Sequence, residues 1–206
     1  MRGLRFSARP RSMTSPRLVL VTRYPEPGKA KTRLIPALGP DGAAALHRRL
    51  TERTLASMRA TGLPMEIRST GAAEGAFLEW LGQDLDVVDQ GEGDLGARLA
   101  RAASRTPAIL LGADTPALTA NHLVELAHAL ASNPAAVGPA EDGGYWALGI
   151  AQPMPFLFED MPWSTDQVCA ITLARLAERG FEAAILDTLS DLDRPEDLAR
   201  FPEVLA

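Results

Sequence analysis

The sequence predicts an α/β fold in which helices cover both faces of a mostly parallel central sheet. Short apolar runs rich in Val, Ile and Leu alternate along the chain with segments whose apolar residues recur at helical spacing. Such alternation is typical of strand-helix units around a parallel sheet. Two strand-like runs also follow each other directly, at 135–140 and 145–150, so we expect a mostly rather than wholly parallel sheet.

The first half of the chain predicts three strand-helix pairs. The run RLVLVT forms the first strand. Leu46, Leu50, Leu55 and Met58 then place one apolar stripe on a helix, and Gly82 is suited to ending the next helix. In order, the predicted elements are a strand at 17–22, a helix at 41–60, a strand at 65–69, a helix at 73–82, a strand at 85–90 and a helix at 94–103.

The second half begins with the run AILLGA, the clearest candidate for a central strand. The paired glycines of EDGG allow a sharp turn between the next two strands. Ser164 and Gln167 fit a capping box at the start of a helix that Gly180 ends, and Pro195 suits the first turn of the last helix. In order, the predicted elements are a strand at 108–113, a helix near 119–131, strands at 135–140 and 145–150, a helix at about 164–178, a strand at 182–186 and a helix at 194–199.

Composition and charge favour a small anionic ligand over a nucleic acid. The 206 residues include 21 Lys and Arg and 26 Asp and Glu, which gives a net charge of −5. A duplex-binding protein normally presents a basic face, so nucleic acid is not an expected partner. The single cysteine, Cys169, excludes a disulfide framework within one chain, and we expect it to be a buried helical thiol. The sequence leaves the oligomeric state open.

The length fits one domain, which we expect to span residues 17–206. Residues 1–16 are expected to lie outside the fold, either as a disordered arm or because translation begins at Met13. This segment is rich in arginine but has no apolar stretch of the kind that signal peptides need. No run approaches the ~20 apolar residues that span a bilayer. We therefore expect a cytoplasmic protein without a membrane span.

A basic loop follows the first predicted strand. The stretch YPEPGKAKTRL places Lys29, Lys31 and Arg33 at alternate positions after Gly28. Backbone N–H groups in a glycine-containing turn form a concave anion site, and arginine binds phosphate through two parallel hydrogen bonds. The spacing matches neither a P-loop nor a dinucleotide-binding glycine motif. Taken alone, the stretch fits a phosphate site and a solvated surface loop equally well.

Asp114 directly follows the predicted central strand, in ILLGADTPAL. An aspartate at the carboxyl end of a buried strand is well placed to hold a divalent cation that bridges phosphate oxygens. After the last predicted strand, Asp191 and Asp193 in LSDLDRPEDL supply a further carboxylate for such a site. The alternative role for Asp114 and for Asp193 is capping of the helix that follows.

Two segments that combine aromatic and acidic residues indicate a second ligand surface. In GPAEDGGYWALG, paired glycines after Asp142 would let the backbone approach a ligand that lies over Tyr145 or Trp146. A hairpin turn opened by Asp142 is the alternative. In MPWSTDQ, Trp163 lies beside the start of a predicted helix, where it either stacks on a sugar or closes the core.

The motifs taken together resemble a known family. PGKAKTRL, GDLGARL, LGADTPAL, EDGGYWALG, PWST and DLDRPEDL occur in this order over roughly residues 17–200. The succession resembles the small bacterial glycosyltransferase-like proteins of the nucleotide-diphospho-sugar transferase superfamily, of the selenodomain- or arsenosugar-associated type. The resemblance implies a glycosyltransferase type A fold, which is a Rossmann-like three-layer sandwich with a mostly parallel central sheet. It also implies Mg²⁺ or Mn²⁺ as cofactor.

The resemblance implies contacts to the donor nucleotide at matching positions. PGKAKTRL takes the place of the first phosphate-binding loop, so Gly28, Lys31 and Arg33 would contact the nucleotide phosphates. GDLGARL would lie near the nucleotide, with Asp94 and Arg98 as its polar contacts. The expected partners are a nucleotide sugar or a nucleoside triphosphate, together with a small-molecule acceptor.

The resemblance also implies the metal and acceptor residues. Asp114 and Asp193 would hold the metal, although Asp114 stands in ADTP and not in the Asp-x-Asp of many glycosyltransferases. Asp142 and Trp163 would face the acceptor, and Tyr145 of the EDGGYW segment is a further candidate for acceptor binding. Asp142 and Asp114 would be the catalytic carboxylates, with Asp142 as the base that deprotonates the acceptor.

Two reactions compete at such a site. In glycosyl transfer, an acceptor hydroxyl attacks the sugar of a nucleoside-diphosphate sugar. In nucleotidyl transfer, an acceptor phosphate attacks the α-phosphorus of a nucleoside triphosphate and pyrophosphate leaves; KTRL also resembles the phospholactate guanylyltransferases of the same superfamily. We expect glycosyl transfer, because EDGGYW and PWST fit the glycosyltransferase-like family better. A non-catalytic nucleotide-binding module is a third alternative, which the retention of the three acids disfavours.

Overall fold

A computed structural model describes residues 15–205 of the chain. Seven strands within this part form one sheet: β1 (Arg17–Arg23), β2 (Met65–Thr70), β3 (Val87–Asp89), β4 (Ala108–Leu111), β5 (Ala135–Pro139), β6 (Tyr145–Ile150) and β7 (Ala183–Ile185). The α-helices of the same part are α1 (Ile35–Thr61), α2 (Glu74–Leu81), α3 (Leu95–Ala102), α4 (Ala120–Ser132) and α5 (Val168–Glu178). Short 3-10 helices lie at Thr32–Leu34, Pro155–Leu157, Pro195–Arg200 and Pro202–Val204. The expected arm or later start concerns residues 1–16, of which 1–14 lie outside the described residues.

The sheet has the strand order β3-β2-β1-β4-β6-β5-β7. Only β6 runs antiparallel to its neighbours among these strands, while β1 pairs in parallel with both β2 and β4. In that register Leu20 lies beside Ile67 on one side and Leu111 on the other. The predicted α/β fold with a mostly parallel sheet is therefore confirmed.

Helices cover both faces of the sheet and complete three layers. Leu18 and Leu20 of β1 belong to a core with residues of α1, α2 and α4, such as Met58. Val19, on the opposite face, belongs to a second core with residues of α3 and α5, such as Leu99. Successive side chains of a strand point to opposite faces, so an apolar run such as RLVLV is what a doubly covered strand needs.

The topology brings the carboxyl ends of six strands and the amino end of the antiparallel β6 to one edge of the sheet. The basic loop after β1, Asp114 after β4, Tyr145 at the start of β6 and the acidic segment after β7 all lie at this edge. Ligands of open α/β sheets bind at the carboxyl ends of the strands. This edge is therefore where the functional site is expected.

Three local predictions need correction. The capping box at Ser164 and Gln167 is wrong: α5 begins only at Val168, Ser164 has a positive φ of 64°, and Gln167 makes no side-chain cap. The first helix extends to Ile35 but is broken at Gly39, whose φ of 69° is non-helical. The helix predicted at 194–199 is a 3-10 helix at Pro195–Arg200. None of the helices between residues 15 and 205 is both long and apolar enough to cross a bilayer.

Candidate functional site

Three connected cavities meet at Asp114, at the carboxyl edge of the sheet. The largest, about 660 Å³, is lined mainly by acidic and polar residues and is called the acidic cleft. A second, about 420 Å³, is lined by cations of the loop after β1 and is called the basic pocket. The third, about 290 Å³, has mostly apolar walls and is called the apolar recess. Asp114 lines all three, so it stands at their junction.

The basic pocket is formed by the loop that the sequence singled out. Gly28, with a φ of 78°, lets the chain turn back after β1. Lys31 is itself in the left-handed conformation, at φ 48° and ψ 45°. The basic lining residues are Arg23, Lys29, Lys31, Arg33 and His47, and Asp114 and Asp193 line the pocket as well. Gly28 shapes the turn but does not line the pocket, whereas Lys31 and Arg33 do.

Lys31 and Arg33 are paired with the two carboxylates that the sequence suggested for a metal. The Lys31 ammonium lies 2.6 Å from Asp114 Oδ1 and 3.6 Å from Asp193 Oδ1, and it also donates to the carbonyl of Leu192. Arg33 pairs with Asp193. The structure thus joins the loop after β1, the end of β4 and the segment after β7 in one cluster.

Neither aspartate of this cluster caps a helix. The cap of α4 is Thr119, whose hydroxyl accepts from the backbone of His122, five residues beyond Asp114. At the 3-10 helix after β7, Asp197 accepts from the backbone N–H groups that precede the helix. The helix-capping alternative for Asp114 and Asp193 is therefore excluded.

Electrostatics hold Asp114 ionised and a nearby histidine neutral. Desolvation raises the pKa of Asp114, but the Lys31 ammonium outweighs it, so the net pKa lies below its ordinary value. Burial lowers the pKa of His47, and its Nε2 lies 3.0 Å from the Arg23 carbonyl. A carbonyl only accepts, so Nε2 carries the proton of the neutral ring. His47 thus holds the end of β1 beside the basic pocket.

The oxygen atoms around Lys31 fit a hard divalent cation that a ligand helps to coordinate. Among residues 15–205, no group of three or more His, Cys, Asp and Glu side chains is arranged to hold a metal ion. Asp114, Asp193 and the Leu192 carbonyl nevertheless converge on one point, which Lys31 Nζ occupies. Mg²⁺ commonly uses one or two protein carboxylates and takes its remaining ligands from phosphates and water. The donor set therefore suits Mg²⁺ or Mn²⁺ only together with a phosphate ligand.

The acidic cleft contains Asp142 and Tyr145. Asp142 Oδ1 accepts from the backbone N–H of Gly144 at 2.8 Å, which is the hairpin-turn role that the sequence allowed. The same carboxylate also lines the cleft and the apolar recess. Burial raises the pKa of Tyr145, so its hydroxyl stays protonated. Desolvation and the charge of Asp142 raise the pKa of Asp191, which faces the same cleft.

The apolar recess opens beside Asp114 and Asp142. Its apolar walls come from β1, α3, β4, the loop before α5 and α5 itself: Val21, Leu95, Leu99, Leu110, Leu111, Trp163 and Val168. Trp163 is half-buried and packs against the core on that face, so it both closes the core and lines the recess. Leu95, the first residue of α3, keeps 41% of its surface exposed at the mouth of this recess.

Asp94 and Arg98 lie apart from the three cavities. Asp94 caps α3 by accepting from the backbone N–H of Ala97 at 2.8 Å, and Arg98 donates to the carbonyl of Gly93 at 3.0 Å. Neither lines the cleft, the pocket or the recess, whereas their neighbours Leu95 and Leu99 line the recess. Their contact with a nucleotide stays a prediction.

Several site residues had not been identified from the sequence. Arg23, the last residue of β1, and His47, on α1, line the basic pocket. Glu141 and Arg200 form a 2.8 Å ion pair at the rim of the acidic cleft. The position of Arg23 directly before the loop was a usable signal. His47 offered none, because it meets its partners only through the packing of α1 on β1.

Comparisons with known proteins agree with this architecture. The profile of the family described as "Uncharacterized protein conserved in bacteria (DUF2064)" matches residues 54–165, which is more than half of the chain. A provisionally assigned nucleotide-diphospho-sugar transferase from Desulfovibrio desulfuricans G20 has a similar structure, with a TM-score of 0.83 and 25% identity over 94% of this chain and 97% of that protein. No curated protein matches this sequence.

Two more distant structures share the fold. One is Rv0371c from Mycobacterium tuberculosis H37Rv in complex with manganese, at a TM-score of 0.53 and 19% identity over 92% of this chain and 99% of the other. The second is CMP:2-keto-3-deoxy-manno-octonic acid synthetase complexed with CTP, at a TM-score of 0.57 and 12% identity over 93% and 98%. The fold is thus that of nucleotide-diphospho-sugar transferases and nucleotidyltransferases.

Proposed function

The chain belongs to the DUF2064 family, and from the geometry of its site and the structures that share its fold we propose a metal-dependent transferase that acts on a nucleotide-activated donor. The proposed reaction is glycosyl transfer from a nucleoside-diphosphate sugar to a small acceptor. One observation carries the proposal: Asp114 lies where a cationic pocket, an acidic cleft and an apolar recess meet. The order of the sequence motifs supports the selenodomain- or arsenosugar-associated type within the superfamily.

The donor diphosphate would occupy the basic pocket. Arg33 and Arg23 line it and are the cations best placed to pair with phosphate oxygens, because arginine binds them bidentately. Asp114 and Asp193 would hold Mg²⁺ or Mn²⁺, which supplies Lewis-acid stabilisation of the departing diphosphate when bound. The sugar would then lie beyond Asp114, in the acidic cleft.

Asp142 would act as the base in the acidic cleft. Its Oδ1 is engaged with the Gly144 N–H, so Oδ2 is the oxygen that would take the proton of the acceptor hydroxyl. As the acceptor oxygen bonds to the anomeric carbon, the bond from that carbon to the diphosphate oxygen breaks. The nucleoside diphosphate leaves with its charge neutralised in the basic pocket. The turn at Gly144 fixes the direction of the carboxylate.

Nucleotidyl transfer is the second candidate, and one observation favours it. Four cations, Arg23, Lys29, Lys31 and Arg33, line the basic pocket, which suits a triphosphate better than a diphosphate. The structure of the synthetase that shares the fold is a complex with CTP. In this reaction the acceptor is a phosphate that is already ionised, so Asp142 would not be needed as a base.

A product assay separates these functions. The protein is incubated with Mg²⁺ or Mn²⁺, a panel of nucleotide sugars and nucleoside triphosphates, and small acceptors, and the products are identified by mass spectrometry. A nucleoside diphosphate released from a sugar donor, together with a glycosylated acceptor, supports glycosyl transfer. Pyrophosphate release supports nucleotidyl transfer. Nucleotide binding by calorimetry without turnover in any combination would instead indicate a binding module.

Replacing Trp163 with alanine is expected to raise KM for the acceptor about tenfold while KM for the donor changes little. Trp163 lines the apolar recess next to Asp142, and loss of an aromatic contact costs about 1.4 kcal/mol, which is tenfold in affinity. Steady-state kinetics with each substrate varied in turn measure the effect. Trp163→Phe keeps an aromatic face and should retain most of the affinity. If KM for the donor rises instead, the recess binds the nucleobase.

A further inference from the structure

Lys31 occupies the point where the proposed function requires a divalent cation. Its ammonium is enclosed by Asp114, Asp193 and the carbonyl of Leu192, and only 4% of its side chain is exposed. These oxygens are held together by the backbone, because the Leu192 N–H donates to the Asp114 carbonyl at 2.7 Å. The cage is therefore assembled with an internal cation already inside it.

We propose that Lys31 is an exchangeable counter-cation, which must leave the cage before Mg²⁺ or Mn²⁺ enters. The inference rests on the proposed function, since it uses the same two aspartates as metal ligands. An ammonium and a divalent cation cannot share one set of oxygens at about 3 Å, because they repel each other and compete for the same lone pairs. In the absence of substrate, Lys31 therefore weakens the binding of a divalent cation to these oxygens.

A bound nucleotide would favour the exchange of Lys31 for the metal ion. Lys31 also lines the basic pocket, so its ammonium can leave the carboxylates for phosphate oxygens with little movement of its backbone. The diphosphate then provides negative charge for Lys31 and ligands for the metal at once. Metal and nucleotide must consequently strengthen each other's binding, and the coupling is reciprocal. The device would keep a metal-loaded site from forming before the donor arrives.

The test measures Mn²⁺ binding to the full chain without nucleotide, by electron paramagnetic resonance titration. Lys31→Met removes the charge and keeps the length of the side chain, and it should bind Mn²⁺ at least tenfold more tightly than the wild type. Arg59→Met is the matched control, because it also removes one cation that is paired with an aspartate, Asp84, but lies outside the three cavities, and it should bind Mn²⁺ like the wild type. Lys31→Arg keeps the positive charge, and its Mn²⁺ affinity should stay low.

A nucleoside diphosphate should increase Mn²⁺ affinity strongly in the wild type and much less in Lys31→Met. Equal or weaker Mn²⁺ binding by Lys31→Met, in protein whose thermal unfolding is cooperative, would overturn the proposal. Lys31→Gln carries the same expectation if the Met variant does not fold. Failure here is distinct from failure of the proposed function: the wild type would still form product in the transfer assay. If Lys31→Met binds Mn²⁺ more tightly but the wild type forms no product in the transfer assay, only the proposed transferase activity is contradicted.

Discussion

Replacing Asp114 with asparagine is expected to lower kcat by about 10²–10³-fold, the range found when one group that stabilises transition-state charge is removed. Asp114 lines all three cavities and is the nearest carboxylate to Lys31, at 2.6 Å. Asparagine keeps the shape of the side chain but is a weaker ligand for a hard cation and a weaker partner for an ammonium. The nucleotide affinity that depends on the metal should also fall, because the proposed metal and the diphosphate would both be bound next to Asp114.

Two measurements check this prediction: kcat in the transfer assay and nucleotide affinity by calorimetry with and without Mg²⁺. The fold should survive, since the contact that ties Asp114 to Leu192 uses its backbone carbonyl. Asp84→Asn is the control, because Asp84 pairs with Arg59 on an exposed surface outside the three cavities. It should retain activity within about twofold, as surface ion pairs contribute little. If the Mg²⁺-dependent nucleotide affinity of Asp114→Asn equals that of the wild type, Asp114 is not part of the metal or nucleotide site.

The sheet was predictable from the sequence because its strands are apolar on both faces. All seven predicted strands are present within two residues of their expected limits, and β1 and β4 were identified from runs such as RLVLV and AILL. The order of the strands within the sheet was less predictable from the sequence, because it depends on the face of the sheet over which each connecting helix passes. Helix starts were less predictable: the Ser164 capping motif has the right letters, but its φ of 64° places it in a turn.

The position of a candidate site residue was predictable where that residue directly follows a strand. The loop after β1, Asp114 after β4 and Asp193 after β7 meet because parallel strands end at one edge, a rule that needs no side-chain detail. What the sequence did not indicate is how these groups are paired. Lys31 was expected to face phosphate, and in the structure it lies between two carboxylates. Pairing depends on distances of a few ångströms that only the packed fold determines.

The apolar recess shows the same limit. Trp163 was open to two interpretations, a core residue or a ligand contact. It packs on the core and also lines the recess, and its contact with a ligand stays a prediction. Leu95 belongs to the GDLGARL motif, yet the family resemblance directed attention to its polar neighbours Asp94 and Arg98. Those two stabilise the start of α3 instead of lining a cavity. A motif can therefore mark the right segment while the contacting side chain is its least polar member.

Replacing Glu66 with glutamine is expected to cause a large loss of stability, about 3–5 kcal/mol in the free energy of unfolding. Glu66 lies on β2 at the amino-terminal edge of the sheet and is 1% exposed. It lies 2.8 Å from Arg17 and also pairs with Arg68, and both guanidinium groups are largely buried. Burial lowers the pKa of Arg17, and the charge of Glu66 offsets part of this effect. Glutamine would leave these cations without their counter-charge.

Thermal and urea-induced unfolding measure the Glu66→Gln effect, with a fall in Tm on the order of 10 °C. Glu26→Gln is the matched control, because Glu26 pairs with Lys29 at 2.9 Å but both side chains are well exposed. That change should cost about 0–1 kcal/mol. Combining Glu66→Gln with Arg17→Met should cost less than the sum of the single changes, because the two groups are in contact. Stability within about 0.5 kcal/mol of wild type for Glu66→Gln would contradict the buried-charge account.

The Glu66 and Asp114 variants should differ in opposite ways in stability and turnover, because the two carboxylates lie at opposite ends of the parallel strands. Glu66 balances buried arginines at the amino ends of the strands, so the folded fraction of Glu66→Gln should keep a normal kcat. Asp114 is half exposed at the carboxyl ends, so Asp114→Asn should keep its Tm within a few degrees and lose turnover. A loss of kcat in folded Glu66→Gln would mean that the ion cluster is coupled to the site through β1, which joins the two edges.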